Sequence, residues 1–303
     1  MRRSNNIRPL TLTLFFTVFL MAPVALGGCV VIPPPIPSPY NRGVEFYDQG
    51  KLSEAIEQYQ LALRQNPADT LAKYNLAVVY QDQGKLDEAI RLYQDILKTT
   101  EDANSRINLA AIHHKLGNKY QVFLELQKAI NRDNPNPSSI LGEYLERNNQ
   151  PSEAERYYQD ALRIDDKHAA THYRLGRLYL KQNHSGLEHL LKAAELEPLT
   201  PEYLEALGNE YERQNQTLEA INMLERVSVL QPDRVEIYVR LGDLYKQKNY
   251  YKEAVSRYWM ALSIQNDNPA VHHTLKELFE SLNKMEQDWL NNNKEQGSVA
   301  KNQ

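Results

Sequence analysis

The sequence holds a single cysteine, Cys29, so no disulfide framework can close within one chain. Glycine is scarce, at 12 of 303 residues, and long β-branched runs are few, which argues against an all-β fold. No excess of positive charge exists to draw the chain to nucleic acid, since the formal net charge is −4. The patterns GxxxxGK[ST], GxGxxG and HExxH are all missing, so no phosphate-cradling loop or zinc-protease helix is indicated. His168 and His172 stand four apart and supply two of the three or four ligands that a zinc site needs. His113-His114 and His272-His273 are neighbours in sequence and point to different helix faces. No catalytic residue, metal or cofactor is therefore expected, and the chain does not read as an enzyme.

What is present begins with an address. Arg2, Arg3 and Arg8 form a basic start, Leu10 to Leu26 is apolar and uncharged, and Ala25, Gly27 and Gly28 are small. That order is the secretory signal pattern. The apolar run is at the lower limit for a spanning helix and contains Pro23, which disfavours a retained anchor. Leu26-Gly27-Gly28-Cys29 resembles a bacterial lipobox, in which the cysteine becomes the acylated first residue. The resemblance implies a leader over 1–28, acyl chains on Cys29, and, with Val30 rather than Asp next, an outer-membrane anchor facing the periplasm. Cleavage after Ala25-Leu26-Gly27, releasing a soluble periplasmic protein, is the alternative. The leader holds three of the 35 basic residues and no acidic one, so its removal moves the net charge from −4 to −7. Val30 to Pro39 is half proline and cannot be helical; with Cys29 it reads as a stiff polyproline tether over 29–39.

From residue 36 the chain repeats itself. Units begin near 36, 70, 103, 135, 169, 201 and 235, spaced 32 to 34 residues apart. Positions seven and eight hold Leu76-Ala77, Leu109-Ala110, Leu141-Gly142, Leu175-Gly176, Leu207-Gly208 and Leu241-Gly242. Position eleven holds Phe46, Tyr80, His113, Leu145, Tyr179, Tyr211 and Tyr245. Position twenty is alanine at Ala55, Ala89, Ala154, Ala220 and Ala254, but Val122 in the third unit. The fifth unit lacks two residues near Asn183-His184, and Gly186 takes that place. Position twenty-four holds Tyr59, Tyr93, Leu126, Tyr158, Leu190, Leu224 and Tyr258; Pro67, Pro198 and Pro232 end their units. Small residues let two helices approach and large ones fill the space between them, so most of the 19 tyrosines read as core.

This pattern resembles the tetratricopeptide-repeat (TPR) family across about 230 residues, with a period near 34. The resemblance implies an all-α superhelical solenoid: seven helix-turn-helix repeats over 36–268. Leu275, Leu278, Phe279 and Leu282 share one face of an expected capping helix over 269–290, followed by a polar, disordered tail over 291–303.

In such a solenoid the first helix of each unit lines the concave groove. Position six is then Asn41, Asn75, Asn108, Ile140, Arg174, Ala206 and Arg240. The three asparagines resemble the ladder with which some repeat superhelices grip a peptide backbone, an amide offering both a donor and an acceptor. Arg174, Arg177 and Arg240, among Glu202, Glu205, Glu212 and Asp243, suit an acidic or C-terminal carboxylate ligand. The expected partner is a protein or peptide in this groove, with the membrane held through Cys29. The function is that of an adaptor in envelope assembly or export, such as pilus, secretion or polysaccharide machinery. A regulatory or carrier subunit for a cell-wall enzyme or glycan is the alternative.

Overall fold

The structure is a computed structural model and describes residues 37–299. Among them are fifteen α-helices and no strand: α1 Pro39–Asp48, α2 Leu52–Gln65, α3 Thr70–Asp82, α4 Leu86–Leu97, α5 Ala103–Lys115, α6 Lys119–Ala129, α7 Asn136–Arg147, α8 Pro151–Ile164, α9 Ala169–Lys181, α10 Leu187–Leu196, α11 Pro201–Arg213, α12 Thr217–Leu230, α13 Val235–Gln247, α14 Tyr251–Ile264 and α15 Pro269–Val299. Each odd helix packs on the even helix that follows it, and each even helix on the next odd one. The leader, Cys29 and the tether up to Ile36 lie outside the described residues. No described helix is long and apolar enough to cross a membrane.

The sequence starts and stops these helices by local chemistry. Asp69 and Asp102 cap α3 and α5, their carboxylates accepting from the backbone N–H of Ala72 at 3.0 Å and of Ser105 at 2.7 Å. Pro39, Pro151 and Pro201 open α1, α8 and α11, where a missing N–H costs nothing. Inside every unit the odd helix ends in the same left-handed turn. Units one to three place Gly50, Gly84 and Gly117 there at φ of 73 to 78°, whereas units four to seven use Asn149, Asn183, Asn215 and Asn249 at 58 to 62°. The backbone N–H of the residue that follows reaches back to the position-eleven carbonyl, as Lys51 does to Phe46 at 2.8 Å, closing the helix end.

Among the described residues the buried core falls into five clusters along the stack. At position eight a Cβ added to Gly142 or Gly242 would sit 2.7 or 2.6 Å from the ring of Tyr158 or Tyr258. Glycine and tyrosine are thus fitted to one another in units four and seven, and likewise in unit one, where a Cβ on Gly43 would meet the Tyr59 ring at 2.6 Å. Gly186 is tighter still: its added Cβ would meet the Gly176 carbonyl oxygen at 2.1 Å, so two backbones touch where the fifth unit is short. The missing residues shorten α10, which begins directly after Gly186 and spans ten residues against fourteen in α8 and α12.

Two features differ from the sequence reading at the C-terminal end. The last helix does not stop at 290 but runs to Val299, so nine residues expected in a disordered tail are helical. Lys294, Glu295 and Gln296 are good helix formers, no proline intervenes, and extending a nucleated helix is easy. Second, Phe279 does not share the buried face: Val271, Leu275 and Leu278 are buried against α14, while Phe279 is exposed.

Candidate binding face

Odd helices of successive units meet directly, α1 with α3 and α7 with α9. Most polar contacts between units lie on this side. Helices that approach more closely along one side bend the stack toward it, so the odd helices form its inner face.

The asparagines expected to form a free ladder are part of this seam. Asn75 Nδ2 donates to the Tyr40 hydroxyl at 3.1 Å. Asn108 Nδ2 donates to the hydroxyls of Tyr74 and Tyr93, each at 3.0 Å. The tyrosine rings also meet in pairs: Tyr40 lies tilted against Tyr59 at 6.0 Å between ring centroids, and Tyr74 edge-on to Tyr93 at 5.7 Å. Burial, then the neighbouring Tyr74, pushes the Tyr93 hydroxyl up from its ordinary value, so it stays protonated and donates onward to Gln81 at 3.3 Å. The amide donors are therefore occupied in joining one unit to the next, and a ligand would meet only what remains. Asn41, with no unit before it, is exposed.

The arginines divide in the same way. Arg174 Nε donates to Glu143 at 3.1 Å and its Nη1 to Ser139 at 2.8 Å. Arg240 Nε donates to Glu212 at 2.7 Å, and the same guanidinium binds Asn209. Arg234, at the start of α13, grips Glu205 with two bonds of 2.8 and 3.2 Å, and Lys181 pairs with Glu146. Only Arg177 among the expected arginines is exposed, and it lies over the Tyr173 ring at 5.3 Å. Of the carboxylates named among them in the sequence, Glu205 pairs with Arg234 and Glu212 with Arg240, while Asp243 accepts from the Tyr258 hydroxyl at 2.6 Å. Sequence reasoning missed Tyr40, Tyr74, Ser139 and Glu143; the available signal was their recurrence at positions five and nine, about one unit before each position-six side chain.

The inner face is thus of two kinds. Over positions five, six and nine, units one to three carry Tyr40, Asn41, Val44, Tyr74, Asn75, Val78, Ile107, Asn108 and Ala111, with no charge among them. The same positions in units four to seven include Glu143, Arg174, Arg177, Glu205, Arg240 and Asp243. The first stretch is neutral and aromatic; the second is a row of mostly satisfied ion pairs.

The histidines are tied into the fifth unit. His168 bonds Thr171 at 2.6 Å and Asn136 at 3.0 Å. His172 Nε2–H donates to the Asp166 carbonyl at 2.9 Å, leaving its Nδ1 to accept from His189 Nδ1–H at 2.9 Å. Among the described residues no three His, Cys, Asp or Glu side chains are grouped as metal ligands.

A tetratricopeptide-repeat family profile matches residues 40–118 and 141–185, and a second one matches 235–268. No curated protein matches the chain. Solved structures share the fold. A tetratricopeptide-repeat protein of Parabacteroides merdae is 19% identical, with a TM-score of 0.51 over 80% of this chain and 97% of its own. The C-terminal part of a repeat protein of Cytophaga hutchinsonii is 16% identical, with a TM-score of 0.54 over 78% and 99%. The Cut9–Hcn1 hetero-tetramer of APC/C is 15% identical, with a TM-score of 0.55 over 78% of this chain; this chain spans about half (48%) of that one. With profile matches over just over half of its residues and, among the described residues, seven helix pairs followed by a last helix, the chain belongs to the tetratricopeptide-repeat family, whose repeats are scaffolds for protein–protein interaction.

Proposed function

We propose that the protein is an adaptor held by acyl chains on Cys29 at the bacterial outer membrane, facing the periplasm, and that its inner face binds an extended segment of a protein partner in envelope assembly or export. The address rests on the basic start, the apolar run and Leu26-Gly27-Gly28-Cys29. Anchoring by lipid needs more than one chain, each buried methylene contributing about 0.8 kcal/mol.

The observation that carries the binding reading is the uncharged stretch of the inner face in units one to three. A face with tyrosine rings, amide oxygens and small apolar side chains desolvates at little cost. It suits an extended segment with few charges. Units four to seven, their cations already held by carboxylates, serve as a rigid continuation of the stack.

The test uses two exposed positions outside the seam, Asn41 and Ala111. The Asn41→Arg/Ala111→Arg variant keeps its helix content and melting temperature but loses the proteins that copurify with wild type from solubilised envelopes. Unchanged copurification would refute the binding reading. Intact mass of wild type beside Cys29→Ser tests the anchor: a triacylated chain beginning at Cys29 is expected, and an unmodified soluble chain would refute it.

A further inference from the structure

The junctions between units can be compared within the one chain. At the first, Tyr80 at position eleven reaches the even helix before it and accepts from Gln60 Nε2, at position twenty-five, at 3.0 Å. Leu63, Tyr80 and Leu92 pack there against the buried cluster that includes Leu76. Position eleven plays the same part further along. Tyr179 donates to Glu155 of α8 at 3.0 Å, and Tyr245 to Glu225 of α12 at 2.9 Å.

The second junction differs. Position twenty-five is again glutamine, Gln94, and the counterparts of Leu63 and Leu76 are again leucines, Leu97 and Leu109. Position eleven, however, is His113, and Glu125 stands where the second unit has Leu92. An imidazole is shorter than a phenol and carries no hydroxyl at its tip. The space left over is open: Gln94, Leu97, Leu109, His113, Gln121 and Glu125 line a cleft of about 470 Å³ between α4, α5 and α6. That volume is within the range of about 300–1,000 Å³ usual for ligand pockets. His113 Nδ1 is shut off from solvent and finds no partner among the described residues, so the junction is short of a bond as well as of a ring.

The lining indicates what fits. Leu97 and Leu109 form an apolar wall, and the amides of Gln94 and Gln121 a polar edge. Arg106, beside them, already donates to Glu125 and to Glu101, each at 3.1 Å. Lys98 at the rim is paired with Asp95 at 3.2 Å. With both cations answered, the cleft does not call for an ion. It suits a neutral group with an apolar body and a polar tip, which is the build of tyrosine.

We infer that this cleft takes a tyrosine side chain from a partner protein. The ring lies against Leu97, Leu109 and His113, and the hydroxyl accepts from the Gln94 amide as Tyr80 accepts from Gln60. The partner thus supplies the phenol that the second junction lacks. None of the lining residues is at position five, six or nine, so the inference holds whether or not the inner face binds as proposed.

Saturation-transfer NMR on the full-length chain in mild detergent tests it, with the probe N-acetyl-Gly-Tyr-Gly-amide at about 1 mM. The tyrosine ring protons are expected to receive saturation, and the leucine analogue of the probe to bind at least about tenfold more weakly. His113→Tyr, which fills the cleft with the chain's own phenol, should abolish the signal and melt no lower than wild type. Gln94→Ala, at an exposed position, should keep the fold and weaken the signal. No saturation of the probe in wild type would overturn the inference, as would a signal unchanged in both variants (uptake by the detergent alone). So would equal binding of the leucine analogue, or binding of p-cresol without the peptide, which would make the ligand a free phenol.

Discussion

Asn108 holds Tyr74 and Tyr93 with one amide nitrogen, at 3.0 Å to each hydroxyl, and so ties the third unit to both helices of the second. Asn75 repeats the arrangement one unit earlier with Tyr40. Asn108→Ala leaves two part-buried hydroxyls short of a donor. It is expected to cost about 1–3 kcal/mol, read as a lower midpoint in urea with helix content kept at zero denaturant. A stability equal to wild type would place the amide outside the seam.

Glycine at position eight separates into two kinds. Gly242→Ala forces a methyl to 2.6 Å from Tyr258, an overpacking expected to cost about 1–3 kcal/mol. At Gly208 the nearest atom is the end of Leu224 at 3.3 Å. Gly208→Ala should therefore be neutral or gain up to about 1 kcal/mol from helix propensity. Thermal melts of the pair check the contrast, and equal effects would contradict it.

The left-handed turns give a third expectation. Asn215 holds φ at 58°, where a side chain other than Asn is strained. Asn215→Gly should be tolerated, as Gly84 is in the second unit, whereas Asn215→Ala should cost about 1 kcal/mol. Chemical denaturation of both variants measures the difference.

The fifth unit should weaken in mild acid. Burial, then the Arg174 guanidinium, holds His168 below its ordinary value, against the opposing Asp165 and Glu197. Burial, then His172, does the same for His189, against Glu188. The fold favours the neutral rings, so their contribution is complete above the usual imidazole value of 6.5 and is lost as pH falls through the lower folded values. A second proton on the His172–His189 pair would also break the bond between their Nδ1 atoms. The melting temperature should drop between about pH 7 and pH 5, and less so in His168→Gln with His189→Gln. An identical pH profile in that variant would remove these rings as the cause.

Why some of this was legible in the sequence and some was not has a physical basis. The helix pairs could be read because Gly142 faces Tyr158 and Gly242 faces Tyr258, a size complement that leaves the same residues at a fixed spacing. The use of Asn75 and Asn108 could not, because an amide that joins two units is the same residue as one that awaits a ligand. What decides between them is a tyrosine hydroxyl 15 to 35 residues away. The arginines hid their partners likewise, Glu143 lying 31 residues before Arg174. Asn149, Asn183, Asn215 and Asn249 serve the same turn as three glycines, and composition alone treats them as different residues. The length of α15 was missed because residues 291–299 are polar and include three asparagines and a glycine, although Lys294, Glu295 and Gln296 are sound helix formers.

A partner is expected to bind along the odd-helix face of the first three units. A photoreactive amino acid placed in the living cell at Asn41, at Ala111 and at the exposed Val229 of α12 examines it directly. Adducts to one protein from positions 41 and 111, and none from 229, are the predicted result. Adducts from 229 alone, or equally from all three, would contradict it.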